Sequence, residues 1–374
     1  MGRSGWMVLG CVALVLTGCG KKAPFVVGVV GDLPTTEQVS DSGLGNGAFL
    51  AAGEINEKGG VNGRLLSLAV ENDSGDPGLV PKVDERLLAK GAIALVGHNT
   101  SATTAVALAV ADRHKVLLMS PEATSSQFSS KQDFFVRNEV SEVVLAEALA
   151  NYAVQTLRLR SVGALLDERN TPFSRPFFEA FRKKMQALGG SAEILYAYQI
   201  PAASQTAVQV SEFLARGGEA VLLITGGEDT RKLAEVVRRV RDDVPVLGTP
   251  WAMPVSRTRD LGPLPESLYF PCTWDPDSRT PAYLSFKAIY EDRFGLAVDY
   301  HAVHSYEAIN MVAHGIGKAK GRAANLPQTL VAIGQFQGLQ GPIRIDAFGD
   351  CRRAVSILKV VGGVPRRVST SPVN

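Results

Sequence analysis

The strongest constraint on this chain is an alternation that runs through it twice. From residue 25, near-continuous apolar runs alternate with amphipathic segments. FVVGVVGDL (25–33), LLSLAVENDS (65–74), AIALVGH (92–98) and KVLLMSP (115–121) read as strands, with helical patterns at 45–60, 79–91 and 102–114 between them. Strands this uniformly apolar need cover on both faces, which is the pattern of a parallel sheet wound with helices. A second set follows: SVGALLDE (161–168), AEILYAYQI (192–200), AVLLITGG (220–227) and PVLGTP (245–250), again separated by helices. SLYFPCTWDPDSRTP (267–281), rich in Pro and Asp, reads as a passage between the two units. Two more helices come next, and PIRIDAFGD (342–350) and RAVSILKVV (353–361) are the last strands. At 374 residues the chain exceeds one average domain. The expected fold is therefore α/β, with two doubly wound parallel-sheet lobes joined by a multi-crossing hinge. The N-terminal lobe is expected at 25–138 plus 275–349, and the C-terminal lobe at 139–274 plus 350–374.

The first residues follow a different logic. Arg3, the apolar stretch WMVLGCVALVL and the small residues of LTGC form an export signal over 1–18. The apolar run is too short to span a bilayer well, which takes ~20 residues. LTGC at 16–19 resembles the lipobox of bacterial lipoproteins, a likeness that implies cleavage before Cys19, lipid attachment to it and a tether over 19–24. An exported, lipid-anchored protein on the periplasmic or cell-surface side is the expectation.

Charge excludes one class of partner. Thirty-nine basic and 37 acidic residues leave a net charge of +2, without the basic face a nucleic-acid binder needs. Of four cysteines, Cys11 leaves with the signal and Cys19 carries lipid. Cys272 and Cys351 remain, both at expected lobe crossings, and an exported compartment permits a disulfide between them.

Open α/β sheets bind ligands beyond the carboxyl ends of their strands, where helix N-termini present free N–H groups. LVGHNTSATT (95–104) lies at such a place, and SPEATSS (120–126) lies one strand over. A helix cap accounts for one hydroxyl. The crowd of Asn99, Thr100, Ser101, Thr103 and Thr104 suggests an anion site as well. Catalytic and cofactor patterns are weak. No G-x-S-x-G nucleophile elbow occurs. His301 and His304 stand three apart on a helix, with His314 beyond, but no third metal ligand at workable spacing is visible, so no metal is expected. GLGNGA (43–48) is G-x-G-x-G, lies about ten residues past its strand, and leaves an exported dinucleotide-binding oxidoreductase as a weak rival. No cofactor is expected, and the chain is not read as an enzyme.

The motifs VVGDL, NGAFLAAGEINEKGGVNGR, VENDSGDP, LVGHNTSATT, VLLMSPEATS, SVGALLDE and GPIRIDAFGD recur in the order found in type I periplasmic binding proteins. The chain resembles the leucine/isoleucine/valine-binding branch, which serves ABC transporters. That resemblance implies a monomeric receptor that closes two lobes on a small amino-acid-like or carboxylate ligand and offers it to permease subunits for uptake; a sensor subunit not coupled to transport is the alternative. It also implies ligand contacts by Ser101, Ala102, Glu122, Ala123 and Thr124 in one lobe. In the other lobe it implies an aromatic, Phe173, and a position near Glu228. Three departures follow. The acid that holds the amino group in the family is replaced around Pro250 and Trp251, with Glu122, Glu228 or Asp229 as substitutes. Trp251 there favours a flat or cationic group. The first-lobe disulfide positions are Gly75 and Thr100, and the first-loop aromatic is Ser40.

Overall fold

The computed structural model describes residues 22–33, 42–253, 263–320 and 322–371. The export signal, Cys19 and Ser40 lie outside the described residues.

The first unit runs β1 (Phe25–Gly31), α1 (Gly43–Glu57), β2 (Leu66–Asn72), α2 (Val80–Ala89), β3 (Ala92–Val96), α3 (Ser101–His114), β4 (Leu117–Ser120) and β5 (Phe135–Arg137). Its five strands lie in the order β2-β1-β3-β4-β5, every pair parallel. The chain then builds α4 (Glu142–Gln155), β6 (Ser161–Asp167), α5 (Thr171–Ala187), β7 (Ser191–Tyr198), α6 (Ala203–Ala215), β8 (Ala220–Ile224), α7 (Gly227–Val240), β9 (Val246–Leu247) and β10 (Leu268–Cys272). It goes on through α8 (Pro281–Phe294), α9 (Tyr300–Lys318), α10 (Leu326–Ile333), β11 (Gln335–Gln337), β12 (Pro342–Ile345) and β13 (Cys351–Arg352), then ends in the hairpin β14 (Val355–Val361) and β15 (Val364–Ser371). The second sheet has the order β15-β14-β10-β9-β8-β6-β7, parallel except for β14 and β15. Strands β11, β12 and β13 form a small antiparallel sheet.

Each large sheet is covered on both faces, as its apolar strands require. Val27, Val29, Ala94 and Val96 pack with α1, α9 and α10 on one side of the first sheet, while Leu95 and Leu118 meet α2 and α3 on the other. In the second sheet, Ala164, Leu166 and Leu222 pack with α4 and α5, and Val221 and Leu223 with α6 and α7. The segment read as a passage at 267–281 begins as the strand β10. Pro271 would argue against a strand, since it has no N–H to give a ladder. It is tolerated because β9 stops at the Leu247–Tyr269 pair, so Pro271 lies past the end of that neighbour. The sequence reading also missed α10, the short strands β5, β11 and β13, and β15 (VPRRVSTS), eight residues on a hairpin edge.

The chain passes between the large sheets three times: after β5, after β10 and between β13 and β14. Helix α9 ties these passages together. Arg353 donates to Glu307 Oε2 (2.7 Å) and to the Asn138 carbonyl (3.2 Å). Asn138 Nδ2 donates to the His304 carbonyl (2.9 Å), and Thr273 Oγ1 donates to Glu139 Oε2 (2.5 Å). The Cys272–Cys351 bridge that an exported compartment would permit is not formed. Both thiols are free and buried, one in β10 of the second sheet and the other in β13 of the small sheet. Cys272 Sγ instead accepts from the Trp274 N–H (3.4 Å), and burial pushes both thiols far above their ordinary range, suppressing the thiolate that exchange needs.

Candidate functional site

The stretch LVGHNTSATT resolves into a cap and something more. Strand β3 ends at Val96, and Gly97 turns the chain with φ +152°. A Cβ there would sit 2.1 Å from the Val30 carbonyl oxygen, so only glycine fits. The cap of α3 is Thr100: its Oγ1 accepts from the Thr103 N–H (3.1 Å), and Thr103 Oγ1 accepts from the Thr100 N–H (3.3 Å). Ser101 is thereby released from capping. It is buried, and its Oγ accepts from the Ser125 N–H (3.2 Å), linking the turn after β3 to the turn after β4.

Those two turns face elements of the second unit across a cavity of about 440 Å³, its opening included. Asn99, Thr100, Ser101, Glu122 and Thr124 form the first wall. Asn170, Phe173, Pro250 and Trp251, from the ends of β6 and β9, form the second, with Leu145 of α4 beside them. Tyr300 and His301, the first residues of α9, close one end. The cavity therefore opens at the carboxyl ends of strands from both sheets, where this architecture places ligands. Phe173 and Trp251 meet edge to face, with centroids 6.0 Å apart and planes at 88°.

The charged part of the wall is a pair. Glu122 Oε1 is 2.7 Å from His301 Nδ1, and Oε2 accepts from Asn99 Nδ2 (3.0 Å). Asn99 is itself fixed, since its Oδ1 accepts from the Asp32 N–H (2.7 Å). Burial would lower the pKa of His301, but the charge and hydrogen bond of Glu122 outweigh it and raise the ring to about 9. At neutral pH His301 is an imidazolium. Behind the wall stands a second buried cation. His98 Nδ1 is 2.5 Å from Asp73 Oδ2 and its Nε2 is 3.3 Å from Asp84 Oδ1; burial opposes the charge, yet the two carboxylates raise this ring also to about 9.

Ser101, Glu122, Thr124, Phe173 and Trp251 thus line one cavity, and three other expected contacts do not. The Ala102 N–H is spent on Asn170 Oδ1 (3.1 Å), a bond across the cleft. The Ala123 N–H goes to Ser120 Oγ (3.0 Å), which turns it inward. Glu228 has an exposed side chain paired with Lys232 Nζ (2.7 Å), one helical turn along α7. Asp229 bonds Arg169 and accepts from Tyr198 Oη (3.3 Å). Sequence reasoning placed Asn99 in the anion-site turn but missed Leu145, Asn170, Tyr300 and His301 as wall residues. The available signal was YHAVH, which placed two histidines at the start of a helix but gave no hint of which strand ends they faced.

An α/β chain with two wound sheets, three passages between them and a cavity at facing strand ends is a two-lobed binding protein by architecture. The chain belongs to the periplasmic binding protein family, whose profile matches residues 24–363. It is 24% identical over 360 residues to Leu/Ile/Val-binding protein homolog 1 of Brucella abortus, covering 90% of each chain. Several other curated relatives are matched over about half their length. Among solved structures, leucine binding protein LivK of Thermotoga maritima superposes with a TM-score of 0.81 at 18% identity, covering 93% of this chain and 99% of that one. A solute binding protein of an ABC transporter from R. palustris, in complex with benzoate, superposes with a TM-score of 0.80 at 15% identity, covering 94% and 97%. No helix of the described residues is long and apolar enough to cross a membrane.

Proposed function

We propose that this chain is the extracytoplasmic solute receptor of an ABC transporter and takes a small amino-acid-like or carboxylate ligand into the cleft between its two units for uptake. The observation that carries the reading is the single cavity shared by Ser101, Glu122 and Thr124 on one side and Phe173 and Trp251 on the other. Hydroxyls at the N-terminus of α3 suit a carboxylate, because the helix dipole favours negative charge there. The two lobes, 25–138 plus 275–349 and 139–274 plus 350–374, move about the three passages gathered on α9. Ligand shifts the open–closed balance by its differential affinity for the closed form, and the closed form is what the permease receives. Relatives that bind leucine and benzoate support both halves of the ligand description. Lipid on Cys19 holds the receptor at the membrane.

Thermal-shift and calorimetric titration with amino acids, small carboxylates and amides test this reading. A ligand at 100 times its Kd adds ~2.7 kcal/mol of apparent stability. Ser101→Ala should weaken that ligand at least tenfold. A panel with no binder, or a binder indifferent to Ser101, Thr124, Phe173 and Trp251 together, defeats the reading. Labelling with a radioactive fatty acid tests the anchor: the wild type is marked, and equal labelling of Cys19→Ser overturns it.

A further inference from the structure

The binding reading leaves open which charges the ligand carries, and the wall residues bear on that question. An α-amino acid needs a carboxylate free to receive its ammonium group. Glu122 is the carboxylate on the described wall, and both its oxygens are occupied, Oε1 by His301 and Oε2 by Asn99. The two acids that could stand in from the second unit are turned to other partners, Glu228 to Lys232 and Asp229 to Arg169 and Tyr198. The charge that remains on offer is positive. His301 is nine-tenths buried, reaches Glu122 through Nδ1 and leaves Nε2 without a hydrogen bond. The Met253 backbone also lies close to this ring and favours its charged form. A buried polar atom without a partner is costly, and a ligand atom that supplies one relieves that cost. The imidazolium therefore stands near the hydroxyls of Ser101 and Thr124 as the third element of an anion-binding end, and it repels an ammonium placed there. The aromatic part of the same lining is the Phe173–Trp251 pair, whose edge-to-face rings suit a flat, uncharged body.

Resting on the binding reading above, we infer that the cleft selects aromatic monocarboxylates without an ammonium group, with His301 Nε2 donating to the ligand carboxylate. His301 is then a specificity-determining residue, and Glu122 positions it.

Calorimetry on the mature protein at pH 7 tests this with benzoate, its neutral counterpart benzamide, phenylalanine and leucine. Benzoate should bind at least tenfold more tightly than either amino acid and at least tenfold more tightly than benzamide. In His301→Gln the preference for benzoate over benzamide should collapse toward parity, a change in charge selectivity that a loss of packing alone does not produce. Trp251→Ala should weaken benzoate and benzamide by similar factors and keep their ratio. Should His301→Gln fail to fold, the wild-type ranking and Trp251→Ala still decide the matter. Leucine or phenylalanine binding as tightly as benzoate overturns the inference and leaves the receptor reading standing. An unchanged benzoate-to-benzamide ratio in His301→Gln overturns the role of His301. Failure of all four compounds to bind defeats the inference, and the wider panel of amino acids and carboxylates then decides the receptor reading separately.

Discussion

His301 and His304 sit one turn apart on the same helix, both buried, and are driven to opposite charge states. His301 faces Glu122 and is held protonated, with its pKa raised to about 9. His304 donates from Nδ1 to the Pro121 carbonyl (3.1 Å), and its Nε2 lies 3.1 Å from Thr273 Oγ1. Burial, the Arg353 guanidinium and the charge on His301 itself push its pKa well below the ordinary range. Beside it, burial raises the Glu139 carboxyl to about 7 despite the nearby Arg353. Position on a helix therefore says little about a buried histidine. The decisive question is whether a carboxylate outweighs burial: Glu122 does so for His301, whereas at His304 burial and Arg353 prevail although Glu139 Oε2 lies 3.2 Å from Nδ1. The first histidine belongs to the cavity and carries charge for it. The second belongs to the passages between the sheets, where a neutral ring joins carbonyl and hydroxyl groups without adding a buried ion.

The contrast can be broken from either side. The largest effect is expected for Arg353→Met, which leaves Glu307 buried without its cation. Removing one partner of a buried pair costs ~3–5 kcal/mol. Denaturant unfolding should show a loss of that size, and NMR should show His304 titrating at higher pH. If the pKa of His304 stays put, Arg353 is not what keeps it neutral. Glu122→Gln comes next. It removes a hydrogen bond between charged groups, worth ~1.5–3 kcal/mol, and His301 should then titrate well below 9. A His301 that remains protonated at pH 8 in this variant places its counter-charge elsewhere.

The third effect is a pH dependence with a definite sign. His98 and His301 have raised folded-state values of about 9. Their stabilisation is fully present below the unfolded value of ~6.5 and is lost as pH rises through 9. Glu139, raised to about 7, acts in the same direction at lower pH, fully present below its ordinary value and lost through 7. His304 acts in the opposite sense, costing stability as pH falls below ~6.5. Between pH 7 and 9 the two cationic histidines dominate these terms. Stability should decline there by ~1.4 kcal/mol per pH unit for each of them. His301→Gln should flatten the decline; an unaltered slope in that variant contradicts its charged state. The smallest effect separates the two hydroxyls of the α3 turn. Thr100→Ala should cost ~1 kcal/mol of stability, as the loss of a cap does, and weaken the ligand far less than Ser101→Ala. Ser101→Ala should do the reverse, with affinity falling at least tenfold. Equal behaviour of the two variants in both measurements removes the division of labour.

Much of the architecture was determined by the sequence alone, because hydrophobic periodicity is local. Uniformly apolar strands such as AIALV and AVLLI have no choice but a sheet covered on both faces, and the restart after residue 138 announces a second one. Family motifs in order then fixed the class, and strand-end hydroxyls pointed at Ser101 and Thr124. Strands β5 and β15 were not legible, since a three-residue strand carries no period and an edge hairpin needs no apolar face. What only the tertiary structure decided was pairing across long separations. Nothing in YHAVHSYE says that its first histidine meets Glu122, 179 residues earlier, while its second meets the Pro121 carbonyl next door. Nothing in ITGGEDT says that Glu228 turns out to Lys232 while Trp251 turns in. Burial and the neighbouring charge set the chemistry of such groups, and both are properties of the folded chain.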